Sequence, residues 1–161
     1  MRVRGVRARL AAVSAFTAGH ALTLVLSALA AVPVSVAWVE ALIAGSVWLL
    51  AADTWRALSA GERDPAGADA GILPAAFGLV HGLGFAEGLR AAGMRPGEGV
   101  AALAGFNVGV EAAQLAAVLA AAAVGRLAAG RAPWGARAVT ATAGVAGGWW
   151  LTARVVALAA G

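Results

Sequence analysis

Apolar residues run through this chain in long blocks, interrupted at a few short polar stretches. Five blocks lie at about 11–31, 35–57, 72–91, 100–124 and 138–159. Each is close to the roughly 20 residues that a helix needs to cross about 30 Å of hydrocarbon. Breakers separate them. Val32-Pro33 leaves room for a tight hairpin only, and Ala60 to Gly71 carries Glu62, Arg63, Asp64 and Asp69. Met94-Arg95-Pro96-Gly97-Glu98 ends the third block, and Arg126 to Arg137 divides the last two. The pattern predicts an all-α protein: a single membrane domain over residues 1–161, built as a polytopic transmembrane bundle of about five helices. No internal repeat is visible.

Composition narrows the class further. Hydrophobic residues make up 61% and charged ones 12%, with mean hydropathy +0.84, against about 45–50% and about 25% in a soluble domain. Too few polar groups remain to cover a water-facing surface. A soluble enzyme, a disordered chain and a nucleic-acid binder are all disfavoured. The pI near 11.5 alone would point to nucleic acid, but all twelve cations are Arg and most sit at block ends. Counted on alternate sides, nine arginines fall on one side and three on the other. That asymmetry predicts a cytoplasmic N-terminus. A secretory leader is the weaker reading, because its apolar stretch would hold Thr17, His20 and Thr23. Cysteine is absent, which removes disulfides, iron–sulfur clusters and thiolate metal sites. Lysine is absent too, so no phosphate-binding Gly-x-x-x-x-Gly-Lys loop exists here.

Six polar residues lie well inside the blocks: His20, Glu40, His81, Glu87, Asn107 and Glu111. Ionisable groups at bilayer depth cost roughly 2.5–3.5 kcal/mol on insertion scales, so they read as functional by default. His20 and His81 each lie nine residues into their blocks, ~14 Å deep at helical rise. Glu111, eleven residues in from the other side, comes to ~16 Å. These three fall near the midplane, whereas Glu40, Glu87 and Asn107 fall in the outer half. Asn107, Glu111 and Gln114 share a helix face, as do Thr17, His20 and Ser27. Glu87 sits about 120° round the helix from His81, so both cannot face one centre. Imidazole, carboxylate and amide oxygen without thiolate suit Ni²⁺, Co²⁺ or Zn²⁺. Singly, each group is as readily a hydrogen bond between helices. Three at one depth favour a metal centre.

The remaining signals are structural. Asp53 beside Arg56 predicts a boundary ion pair. Gly78-x-x-x-Gly82, Gly84-x-x-x-Gly88 and Gly105-x-x-x-Gly109 predict close helix approach around the third and fourth helices. Trp48, Trp55, Trp134, Trp149 and Trp150 read mostly as interfacial anchors near block ends.

The same polar residues sit in segments that resemble a known family. Phe16-Thr17-Ala18-Gly19-His20-Ala21-Leu22-Thr23-Leu24 is similar to its Phe-Thr-x-x-His-Ser-x-Thr-Leu helix, and Val39-Glu40-Ala41-Leu42-Ile43-Ala44 to its Val-Glu-Ala-x-Ile-Ala segment. Phe77-Gly78-Leu79-Val80-His81-Gly82-Leu83-Gly84-Phe85-Ala86 and Phe106-Asn107-Val108-Gly109-Val110-Glu111-Ala112-Ala113-Gln114-Leu115 complete the set. This is the HupE/UreJ family of hydrogenase and urease accessory membrane proteins, regarded as nickel permeases, and the resemblance spans about residues 10–120. It implies a multi-pass permease of a prokaryotic plasma membrane that is not an enzyme. Nickel, or cobalt, would be cargo, with no permanently bound cofactor. Metal would enter past Glu40, Glu87 and Asn107 and bind at His20, His81 and Glu111. The implied partners are the lipid bilayer, the divalent ion, and a second copy or nickel-enzyme accessory proteins, with no nucleic acid.

Ala21 stands where the family usually has Ser, and Ala113 where it has Gly. Family members also carry an earlier helix with a His-x-x-x-Gly-x-Asp-His type motif. Met1-Arg2-Val3-Arg4 looks instead like the loop after that helix, so transport is expected to need one more helix. Two other readings stay open: a non-transporting assembly or regulatory subunit, and an intramembrane metalloenzyme whose metal activates water.

Overall fold

A computed structural model describes residues 2–30, 35–61, 71–91, 93, 99–127 and 132–160. Each apolar block forms a helix: α1 (Arg2–Ala30), α2 (Val36–Ser59), α3 (Ile72–Ala91), α4 (Val100–Leu127) and α5 (Ala132–Ala160). The described residues contain no strand. Four helices hold a stretch long and apolar enough to cross a membrane, at Gly5–Ser27, Val36–Ser59, Leu103–Val124 and Trp134–Ala160. Ile72–Ala86 of α3 is a shorter apolar stretch. The protein is an all-α, multi-pass membrane bundle.

Two boundaries differ from expectation. Residues 2–9, expected as loop, are the first turns of α1, and α5 begins at Ala132 rather than near 138. Arginine is a good helix former, and its long stem lets the charge reach polar surroundings from within a helix. Pro133 lies in the first turn of α5, where a missing N–H costs no hydrogen bond. The Val32-Pro33 hairpin, the acidic stretch 62–70 and the break at 94–98 lie outside the described residues.

Contacts order the helices as α4, α1, α3, α2, α5. α1 and α3 run parallel with their backbones touching. A methyl group built on Gly19 would overlap the Ala75 carbonyl oxygen, and one on Gly78 the Phe16 carbonyl oxygen. At Gly82 it would meet His20 O and Thr23 Oγ1. Thr23 Oγ1 donates across this seam to Leu79 O at 2.7 Å. Of the three glycine pairs expected to allow close approach, only Gly78 with Gly82 does so at both positions. Gly84 meets Ile43 and Val39 of α2, whereas Gly88, Gly105 and Gly109 face open space. Gly19, the partner that completes the interlock, has no glycine four residues away and so escaped the spacing rule.

α2 and α5 pack antiparallel in one steady register. Gly45 lies against Leu151, Trp48 over Gly147 and Gly148, and Ala51 against Gly144. Arg137 donates to Leu58 O at 3.4 Å, a carbonyl that also accepts from Gly61 N–H at the end of α2. Trp48 sits in mid-helix rather than near an end, its indole against Gly148 and its backbone against Gly147. α1 and α4 also run antiparallel. Leu24 and Leu103 join Ala86 in a buried cluster at one end, and Ser14 and Thr17 bond to Glu111 and Gln114 towards the other. Successive helices thus alternate in direction. The outward faces of α4 and α5 expose Val108, Val145 and Trp149, as a lipid-facing surface should.

Candidate metal site

All five helices contribute to a cavity of about 890 Å³, with α5 reaching it through Trp150. Both histidines line it, together with Glu40, Gln114, Phe16 and Phe85.

His20 comes from α1 and is buried, yet neither of its ring nitrogens has a hydrogen-bond partner. A dry, unpaired imidazole nitrogen is costly, and native structures seldom keep one without a use. Aromatic rings hold it in place. Phe16 stacks on it at 6.2 Å and 14°, and Phe85 meets it edge-on at 5.9 Å. Phe85 is itself backed by Phe106 at 4.6 Å. Aromatic faces fix the ring while offering no competing donor or acceptor.

His81 comes from α3, and Phe16 also touches it edge-on, at 5.1 Å. Its Nε2 lies 3.0 Å from Ser46 Oγ. The serine hydroxyl has one proton, and it donates to Ile43 O at 2.7 Å. With its own proton directed at Ile43 O, Ser46 Oγ is placed to accept from His81 in the tautomer protonated at Nε2. That tautomer leaves its lone pair on Nδ1.

Glu40 of α2 reaches the cavity edge, where its Oε2 lies 3.2 Å from Arg154 Nε of α5. Their side chains are 29% and 40% exposed. The described ion pair lies here, not at Asp53 and Arg56, whose side chains are both exposed.

The other expected residues diverge. Glu111 does not line the cavity; its Oε1 accepts from Ser14 Oγ at 2.6 Å. Asn107 is buried, but its Nδ2 donates to Leu103 O of its own helix at 2.9 Å, and Oδ1 has no partner. Glu87 lies on α3, and its side chain is not among the described ones. No group of three His, Asp or Glu forms a ligand set among the described residues. The structure brings together His20, His81 and Glu40, and it places Glu111 and Asn107 on neighbouring faces. Depth along a helix gives height only. The direction round the axis decides which groups meet. From α4 the cavity receives Gln114, which accepts from Thr17 Oγ1 at 3.0 Å. Ser46 went unmarked in the sequence, Arg154 entered only the count of arginines, Trp150 read only as an anchor, and Gln114 only as sharing a face with Asn107 and Glu111. Ser46 lies three residues beyond Ile43, about 60° round the helix from it, a weak signal but the one that could have found it.

A multi-pass helical bundle with two imidazoles lining a largely apolar cleft between its helices defines the class: a multi-pass membrane protein. The chain matches the family described as HupE / UreJ protein over residues 2–156, and it belongs to that family. No curated protein and no solved structure matches it.

Proposed function

We propose that this HupE/UreJ protein carries a divalent metal ion, nickel or cobalt, across a prokaryotic plasma membrane. The observation that supports this most is His20, buried at the cavity wall with two unpaired ring nitrogens beside His81. Two neutral imidazoles suit a borderline divalent ion better than Mg²⁺ or Ca²⁺, which prefer sets of oxygen ligands. His20 and Nδ1 of His81 bind the ion, Gln114 offers an amide oxygen, and water fills the remaining positions. Glu40 draws the cation to the cavity edge. The arginine asymmetry sets the cytoplasmic end at the start of α1. Only neutral imidazoles ligate, so affinity falls as the pH drops through the histidine range. The chain acts as a carrier rather than an enzyme, with further copies or nickel-enzyme accessory proteins as its protein partners.

His81→Ala is expected to abolish nickel uptake in membrane vesicles while the protein still reaches the membrane. Uptake equal to that of the parent would overturn the reading. One observation favours a second reading, a non-transporting assembly subunit: Ser14–Glu111 and Thr17–Gln114 use polar groups simply to bind α1 to α4. Vesicles of the parent protein that take up no nickel would favour it.

A further inference from the structure

Arg154 is, among the described residues, the cation paired with the cavity-lining Glu40. Its Nε lies within ion-pair distance of Glu40 Oε2, but the Nε–H has no aligned acceptor. The contact is therefore electrostatic rather than a directed hydrogen bond, and such a pairing exchanges readily. Glu40 is the acidic group on the cavity lining among the described residues. Without Arg154 it would be a bare carboxylate at the rim of a low-dielectric cavity, attracting any cation.

We propose that Arg154 is a resident counter-cation for Glu40, a latch that an incoming divalent ion displaces and a monovalent ion does not. The inference rests on the metal-carrying reading and adds a selectivity device to it. A guanidinium tethered by α5 holds one positive charge beside Glu40 at high local concentration. Na⁺ or K⁺ brings the same charge, pays its own dehydration and gains little from imidazole, so the latch stays shut. A transition-metal dication brings twice the charge and binds two imidazoles that Arg154 cannot reach as a ligand. Glu40 then exchanges one cation for another.

The test is Co²⁺ titration of the purified full chain, followed by the cobalt absorption bands, in low and high KCl. Arg154→Gln is expected to bind Co²⁺ about tenfold more tightly at low salt, because the dication no longer competes with a fixed charge. That gain should shrink in high KCl, since K⁺ now reaches Glu40. Arg154→Lys keeps the charge and should behave as the parent. Glu40→Gln and the double variant Glu40→Gln/Arg154→Gln should bind equally, with no gain from losing Arg154. A tighter site cannot arise from misfolding, and Arg154→Met serves if the glutamine variant does not reach the membrane. Unchanged or weaker binding in Arg154→Gln, with Co²⁺ still bound by the parent, overturns the latch alone. Absence of Co²⁺ binding in both proteins overturns the latch and the metal reading together.

Discussion

At the scale of single residues, the site depends on which nitrogen of each histidine is free. Ser46 Oγ is placed to accept a hydrogen bond from Nε2–H of His81, so Ser46→Ala should release the imidazole to either tautomer. Losing such an outer hydrogen bond typically weakens metal affinity by about 10–100-fold. Co²⁺ titration is expected to show a loss in that range, and an unchanged affinity would refute the proton assignment. Glu111 makes a useful contrast. Glutamine there keeps an oxygen that can accept from Ser14, so Glu111→Gln should retain nickel uptake within about twofold, since a neutral hydrogen bond replaces a charge-assisted one. Loss of uptake as complete as in His81→Ala would return Glu111 to the metal path. The two histidines were legible in the sequence because an ionisable group inside an apolar block is conspicuous. Their partners were not. Ser46 is an ordinary serine in an apolar helix, and Arg154, near a block end, resembles any interfacial arginine until α2 is placed beside it.

At the scale of helices, α1 and α3 are held backbone to backbone. The extra methyl in Gly78→Ala would overlap the Phe16 carbonyl oxygen and crowd the His20 amide nitrogen. Overpacking of this kind costs roughly 1–3 kcal/mol, and neither backbone can move aside without parting the helices. Gly109→Ala meets nothing within 4 Å; it should leave stability unchanged or slightly raised, because alanine is the better helix former. Denaturant midpoints of the two variants in detergent should differ accordingly. Equal midpoints would mean that the helices separate freely at Gly78. The sequence gives both glycines the same four-residue spacing, and spacing alone does not say which face meets a neighbour. Helix identity was legible in all five blocks because apolar length is a strong signal. Helix ends were less so, since arginine and a first-turn proline mark boundaries in a sequence yet sit comfortably inside helical turns.

At the scale of the whole molecule, alternating helix directions gather the starts of α1, α3 and α5 with the ends of α2 and α4. Reporter fusions after Gly61 and after Gly99 should therefore read on opposite sides, cytoplasmic and external respectively. A cytoplasmic reading at Gly99 would break the alternation. The number of helices and their alternation were legible from the blocks. The order α4, α1, α3, α2, α5 was not, because helices distant in sequence meet through small residues that look unremarkable in a chain rich in alanine and glycine. The interlock of α1 with α3 has a consequence for how this chain can vary by descent. Each added or deleted residue turns everything beyond it by about 100° on an ideal helix. One insertion between Phe16 and His20 would swing the imidazole out of the cavity while every other side chain stayed chemically intact. A substitution along that stretch disturbs one contact at a time, whereas a single gained or lost residue would undo those of Phe16, Thr17, Gly19 and His20 together.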